Sequence, residues 1–330
     1  MSKKLLSTNS FRVIFLALTI GFFGCGNQAA RTTFTQTDTQ VNENLPKVVA
    51  TTSILCDLTR QVAGNTVNLT CLIDPSADPH VYKPKPEDRR AIEQANLILY
   101  SGYNLEPNLI KLIKATKNPV PKVAVGQLAV SKPQQFQKGI KNVIEPHVWH
   151  NTKNAIRMVE VINSNLKKLE PRDADTYTSN TKKVTNELTQ LDSWIKSRIA
   201  SIPPKERKLV TTSDALIYYA KTYGIPLTGG LQGISTGENL TGVREKNLVT
   251  NIQQSKVSTI FTEAAIHPNS LQSVAREASV KISARKLYTE GLGEPGSEAE
   301  TYQKMMIANT RTIVEGLGGT YLMFQVKAAK

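Results

Sequence analysis

Cysteine and histidine are scarce in this chain: three cysteines and four histidines stand among 330 residues. No two cysteines form a C-x-x-C pair and no Cys/His knuckle is present, which excludes a zinc finger and a thioredoxin-like redox motif. H-E-x-x-H and a nucleophile elbow are also missing, and no general base stands beside a reactive residue. Those absences argue against an enzyme. A charge-free apolar run, VIFLALTIGFF over residues 13–23, falls well short of the ~18 residues that a membrane-spanning helix needs.

That run does have the length of an export signal, and Lys3, Lys4 and Arg12 supply the basic flank before it. Cys25 follows at once, where bacterial lipoproteins are cut and acylated, so the stretch resembles a lipobox with Phe22 in place of the usual Leu. The expectation is a signal peptide and lipobox over residues 1–25, with Cys25 lipidated and the mature protein outside the cytoplasm. Residues 26–46, GNQAARTTFTQTDTQVNENLP, are polar and nearly free of large aliphatic side chains. They bury too little apolar surface to offset their ordering entropy and read as a flexible tether.

The formal charge is +14, and it falls to +11 when residues 1–24 leave with Lys3, Lys4 and Arg12 and no acidic residue. Lysines and arginines are dispersed singly along helical segments, which reads as a solvated face that an anionic membrane surface attracts, not as a nucleic-acid site.

From Lys47 the chain alternates short β-branched runs with longer amphipathic segments, the pattern of an α/β fold. Strands are expected at 48–54, 67–73, 97–101 and 120–125, with helices at 55–63, 86–94 and 107–115. Beyond Asn151 the strand signals stop, and 154–169 and 173–200 read as helix; the second would measure roughly 40 Å. Alternation returns with strands near 208–212, 259–262 and 281–288 and helices at 215–223, 268–278 and 299–317. The fold class is therefore α/β: two (β/α) lobes with mainly parallel sheets, 47–171 and 204–330, joined by one long rigid helix within 172–203. Cys56 opens the helix after the first strand and Cys71 ends the second, so a parallel sheet brings both to one carboxyl edge. Export permits their disulfide; two free thiols are the alternative.

Two of the four histidines stand in matching company. Asp78-Pro79-His80 follows an expected strand, and Glu145-Pro146-His147 precedes a helix. In each, proline stiffens the approach and the carboxylate can orient an imidazole that binds a metal. His150 shares a helical spacing with His147 but fits better as exposed, and His267 reads as a helix-entry residue.

The chain resembles the zinc/manganese solute-binding proteins of ABC importers, the adhesin-like metal receptors. Four stretches between about Val48 and Leu317 carry the likeness: DPHVYKP at 78–84; PHVWHNTKNA at 146–155; LVTTSDALIYYAKTYG at 209–224; and FTE at 261–263 with LYTEGLGEPG at 287–296, Thr301-Tyr302 and Met305-Met306. The segment LQGIST at 231–236 echoes a subgroup. The resemblance implies a divalent metal held in the cleft between the lobes by one ligand from each stretch. Carried over by residue, His80 and His147 match the first two ligands. The third, usually His or Glu, falls on Ser213, a poor ligand that also suits a helix cap; Asp214 or water would then serve. The fourth, usually Asp, falls on Glu290. Glu263 is expected to support the cleft without touching metal.

No third candidate ligand histidine and no His-rich loop is present, so manganese is the first choice and zinc the second, on the strength of its place in the affinity order. The implied function is capture of that ion outside the cytoplasmic membrane and delivery to an ABC importer permease by a lipid-anchored monomer. An adhesion protein with a structural or degenerate metal site, and less so a metal-dependent enzyme, are the competing readings.

Overall fold

The protein is described from a computed structural model, which covers residues 44–138, 141–211, 213–230, 242–265 and 269–327. Cys25, His267 and residues 231–236 lie outside them, with the expected signal and all but the last residues of the tether. Among the described residues no helix is long and apolar enough to cross a membrane.

The N-terminal half runs β1 (Lys47–Ala50), α1 (Ser53–Ala63), β2 (Asn68–Cys71), α2 (Pro86–Gln94), β3 (Leu97–Tyr100), α3 (Pro107–Ala115), β4 (Lys122–Ala124) and α4 (Val125–Ala129). The helices start where side chains satisfy their free amides: Thr52 accepts from Leu55 N, and Pro86 and Pro107 occupy first-turn positions that need no amide. The four strands pair in parallel in the order β2-β1-β3-β4. Alternate residues face opposite layers. Val48, Ala50, Leu97 and Leu99 pack with Ile54, Leu55 and Leu58 of α1, whereas Val49 and Ile98 pack with Ile92 of α2 and Leu109 and Ile113 of α3.

An antiparallel hairpin follows, β5 (Gln135–Lys138) with β6 (Lys141–Ile144), then α5 (Thr152–Leu169) and α6 (Ala174–Ala200). The hairpin is not anticipated by the sequence because QFQK and KNVI carry too few apolar residues to show alternation. Along α6, Tyr177, Thr181, Val184, Leu188, Leu191, Ile195 and Ile199 recur every three or four residues and are all buried, the stripe that a core-facing helix requires. The chain end laces the same helix: Gln190, Trp194, Arg198 and Ser201 bond Lys327, Leu322 and Thr320.

The C-terminal half contains β7 (Leu209–Thr211), α7 (Ile217–Tyr223), β8 (Leu227–Gly230), α8 (Gly242–Ser255), β9 (Thr259–Ile260), α9 (Asn269–Ala278), β10 (Lys281–Ile282) and α10 (Tyr302–Gly316). β7 pairs in parallel with β8 and β9 with β10; parallel bridges Thr211–Phe261 and Glu263–Leu287 continue the layer, giving β8-β7-β9-β10. This repeats the N-terminal order. One core runs through both halves, from Val48 and Leu99 through Ile195 to Phe261, Leu287 and Met305.

Cys56 and Cys71 are joined by a disulfide with their Cα atoms 5.7 Å apart, across the carboxyl edge of β1 and β2. The loop it closes spans a separation of 15 residues, for which the chain-entropy account gives about 3 kcal/mol. Denaturant unfolding of a Cys56→Ala/Cys71→Ser double variant should show a loss of that order; unchanged stability would mean that the bond contributes nothing in solution.

Candidate metal centre

In an open parallel sheet of order 2-1-3-4, the strands on either side of the first diverge in connection, and the crevice beyond their carboxyl ends collects functional groups. The N-terminal crevice lies after β1 and β3. Glu106, wholly buried there, accepts from Thr51 Oγ1 at 2.8 Å and from Ser101 N at 2.6 Å. Burial raises its pKa against those bonds. The C-terminal crevice, after β7 and β9, holds a second buried carboxylate. Glu263 accepts from Ser213 N at 2.6 Å, from Ser213 Oγ at 2.9 Å and from Thr289 Oγ1. No motif around Glu106 marks it out; its signal in the sequence is a carboxylate between a strand end and the helix-opening Pro107.

His80 stands on the loop after β2, His147 between β6 and the 3-10 turn Val148–His150, and Glu290 on the loop beyond the Glu263–Leu287 bridge. Their ligand atoms converge: His80 Nε2 to His147 Nε2 is 3.1 Å, His147 Nε2 to Glu290 Oε2 3.0 Å and His80 Nε2 to Glu290 Oε2 3.4 Å. Three ligands at ~2.1 Å from one ion stand about 3.0–3.5 Å from one another, so the triangle matches a metal's requirements. Among the described residues this is the one group of three or more His, Cys, Asp and Glu side chains that come together in this way. Glu290 Oε1 is buried without a hydrogen-bond partner, so a second oxygen is open to the same ion.

The two acid-Pro-His triplets act differently. Glu145 Oε1 accepts from His147 N at 2.9 Å and pairs with the ring at Nδ1, the carboxylate–histidine arrangement that turns Nε2 toward a metal. Asp78 Oδ1 accepts instead from His80 N at 2.8 Å, and its Oδ2 is buried without a partner; burial and then Glu290 raise its pKa.

Two expectations need correction. Asp214 does not join the triangle; it lines a cavity of about 610 Å³ with Gln134, Phe136, Ile217 and Lys221. The cause is local: the preceding Ser213 gives both its amide and its hydroxyl to Glu263, and its Oγ also accepts from Ala215 N at 3.2 Å. The turn so formed ends before α7 starts at Ile217, so Ser213 caps that turn and not the helix. His150, expected to be exposed, is wholly buried, with Nε2 at 2.9 Å from the Thr289 carbonyl oxygen.

The family described as the periplasmic component A of the zinc-uptake complex matches residues 48–316. The chain belongs to this family. Relatives of the zinc-uptake component A family include the manganese ABC transporter substrate-binding lipoprotein PsaA of Streptococcus pneumoniae, 33% identical over 85% of this chain and 91% of its own length. The manganese-binding lipoprotein MntA of Bacillus subtilis is 31% identical over 92% and 97%. Among solved structures, the periplasmic zinc-binding protein TroA of Treponema pallidum superposes with a TM-score of 0.78 at 29% identity, covering 83% of this chain and 99% of TroA. The α/β class with parallel sheets and one long helix is thereby that of its family.

The electrostatics of the triangle set a pH profile. Burial alone would lower the His147 pKa, but Glu290 and Glu145 outweigh it and hold the imidazole well above its ordinary 6.5. Burial would raise Glu290, yet His147 and then His80 hold its carboxyl far below its ordinary 4.5. A raised histidine contributes stability that is complete below pH 6.5 and is lost as pH rises through its folded pKa. A depressed carboxylate contributes stability that is complete above pH 4.5 and is lost as pH falls toward its folded pKa. In metal-free protein the pair should therefore stabilise most between pH 4.5 and 6.5. Thermal melts across pH check this: Glu290→Gln should flatten both flanks, and an unaltered profile would rule the pair out as their source.

Proposed function

We propose that this protein captures a divalent transition-metal ion, manganese first and zinc second, with His80, His147 and Glu290, and hands it to the permease of an ABC importer. The observation that carries the reading is the buried triangle of two imidazole nitrogens and one carboxylate oxygen at ion-binding separations. Residues 47–171 and 204–330 act as two jaws on the ion. On binding, the ion takes the place of the proton on His147 Nε2, while Nδ1–H stays with Glu145 and keeps the ring in the ligating tautomer. The second Glu290 oxygen or water completes the shell, since Ser213 is committed to Glu263. The protein acts as a receptor, the role carried in the names of its substrate-binding relatives. Relatives named as manganese lipoproteins support both the choice of ion and a lipid anchor, which we place on Cys25 of a monomer outside the cytoplasmic membrane.

Calorimetric titration with Mn2+ and Zn2+ tests the ligand set. His80→Ala and His147→Ala should each weaken binding by more than about 100-fold, beyond the tenfold to hundredfold cost of an outer-shell partner. Ser213→Ala and Asp214→Asn should leave it nearly unchanged. One-to-one binding that survives the histidine variants would defeat the assignment. Membrane fractionation addresses the anchor: Cys25→Ala should release soluble protein, and retention on the membrane would place the tether elsewhere.

A further inference from the structure

His150 is a buried histidine that the capture site does not use as a ligand. Its Nε2 faces the Thr289 carbonyl oxygen, and because a carbonyl only accepts, that nitrogen carries the proton. Nδ1 is then a bare acceptor, buried without a partner. Leaving such an atom unsatisfied costs its full desolvation, and burial keeps the ring neutral, with its pKa pushed down to about 3. An apolar side chain would avoid that cost, so the single bond to Thr289 is what the imidazole contributes.

The place of that bond is specific. Thr289 immediately precedes Glu290, and His150 ends the 3-10 turn that begins just after His147. The bond therefore closes a short circuit: His147, the turn, His150, the Thr289 carbonyl, Glu290 and back to His147. Thr289 is gripped from both halves, its carbonyl by His150 and its hydroxyl by Glu263. The turn is held from the C-terminal half at a second point, where Tyr302 Oη donates to the Trp149 carbonyl at 2.6 Å. Farther along the loop, Leu292 bonds Ser53 Oγ and Ser76 N, whereas His150 reaches from the N-terminal half to Thr289 itself, next to the carboxylate.

We infer that His150 is a positioning residue of the ion site, fixing the Glu290 carboxylate against the His147 imidazole through the Thr289 carbonyl and so setting how tightly and how long the captured ion is held. The inference rests on His80, His147 and Glu290 being the ligand set.

The test is Mn2+ titration and stopped-flow Mn2+ release on the full chain. His150→Gln places an amide N–H where Nε2 stands and should bind close to the parent protein. His150→Asn, too short to reach Thr289, and His150→Leu, which keeps bulk without a donor, should each bind about 10- to 100-fold more weakly, mainly through faster release. Thr152→Val is the control: it removes buried bonds to Asp192 and Tyr223 two residues away, and should lower the melting temperature without changing affinity. Parent-like affinity in whichever of the Asn and Leu variants folds would overturn the inference, as would an equal loss in Thr152→Val, which would show affinity following stability alone. A parent protein that takes up neither Mn2+ nor Zn2+ would instead overturn the ligand set on which the inference stands.

Discussion

The His147 imidazole, buried between two buried carboxyl groups, is the constraint around which the rest of this structure is arranged. Charge in a protein interior is tolerated only when paired, and His147 is paired twice, by Glu145 from its own segment and by Glu290 from the other half of the chain. The first pairing fixes the ring; the second ties the halves together. A bound ion would take over at Nε2 the electrostatic work that a proton does there. The 27-residue α6, with its unbroken buried stripe and the chain end laced along it, leaves little room for a wide hinge.

Much of this was legible in the sequence, and the reasons are local. Strand runs such as LILY and helices opened by Pro86 and Pro107 carry their signals within a few residues, and α2 and α3 end where periodicity says they should. The acid-Pro-His triplets marked the two histidines that converge with Glu290 for the same reason. What escaped depends on residues distant in sequence. Nothing around His150 announces that a carbonyl 139 positions later will bury it, and nothing beside Asp214 reveals that Glu263 claims Ser213 and turns the next residue away. β8, ending in two glycines, and the polar hairpin are strands by pairing and not by composition.

The two halves share more than class. Both use the order second-first-third-fourth, and both place a buried glutamate in the crevice that this order opens, Glu106 bonded to Thr51 and Glu263 to Ser213. In each case a hydroxyl residue just past the first strand meets a carboxylate just past the third. The members of the triangle are added to this common frame unevenly: His80 and His147 come from loops of the N-terminal half, and Glu290 comes from the C-terminal half.

The carboxyl groups at the His147 imidazole also bear on how a cation finds a protein that repels it. The chain as a whole is strongly basic, with a formal charge of +14. Salt at physiological strength damps fields beyond about 8 Å, so an approaching ion loses sight of the lysines and arginines before it reaches the triangle. Over the last stretch it meets the Glu290 carboxyl, which His147 and His80 hold far below its ordinary range, with Glu145 on the other side of the imidazole. Capture is thus decided by the groups at the triangle and not by the net charge of the chain.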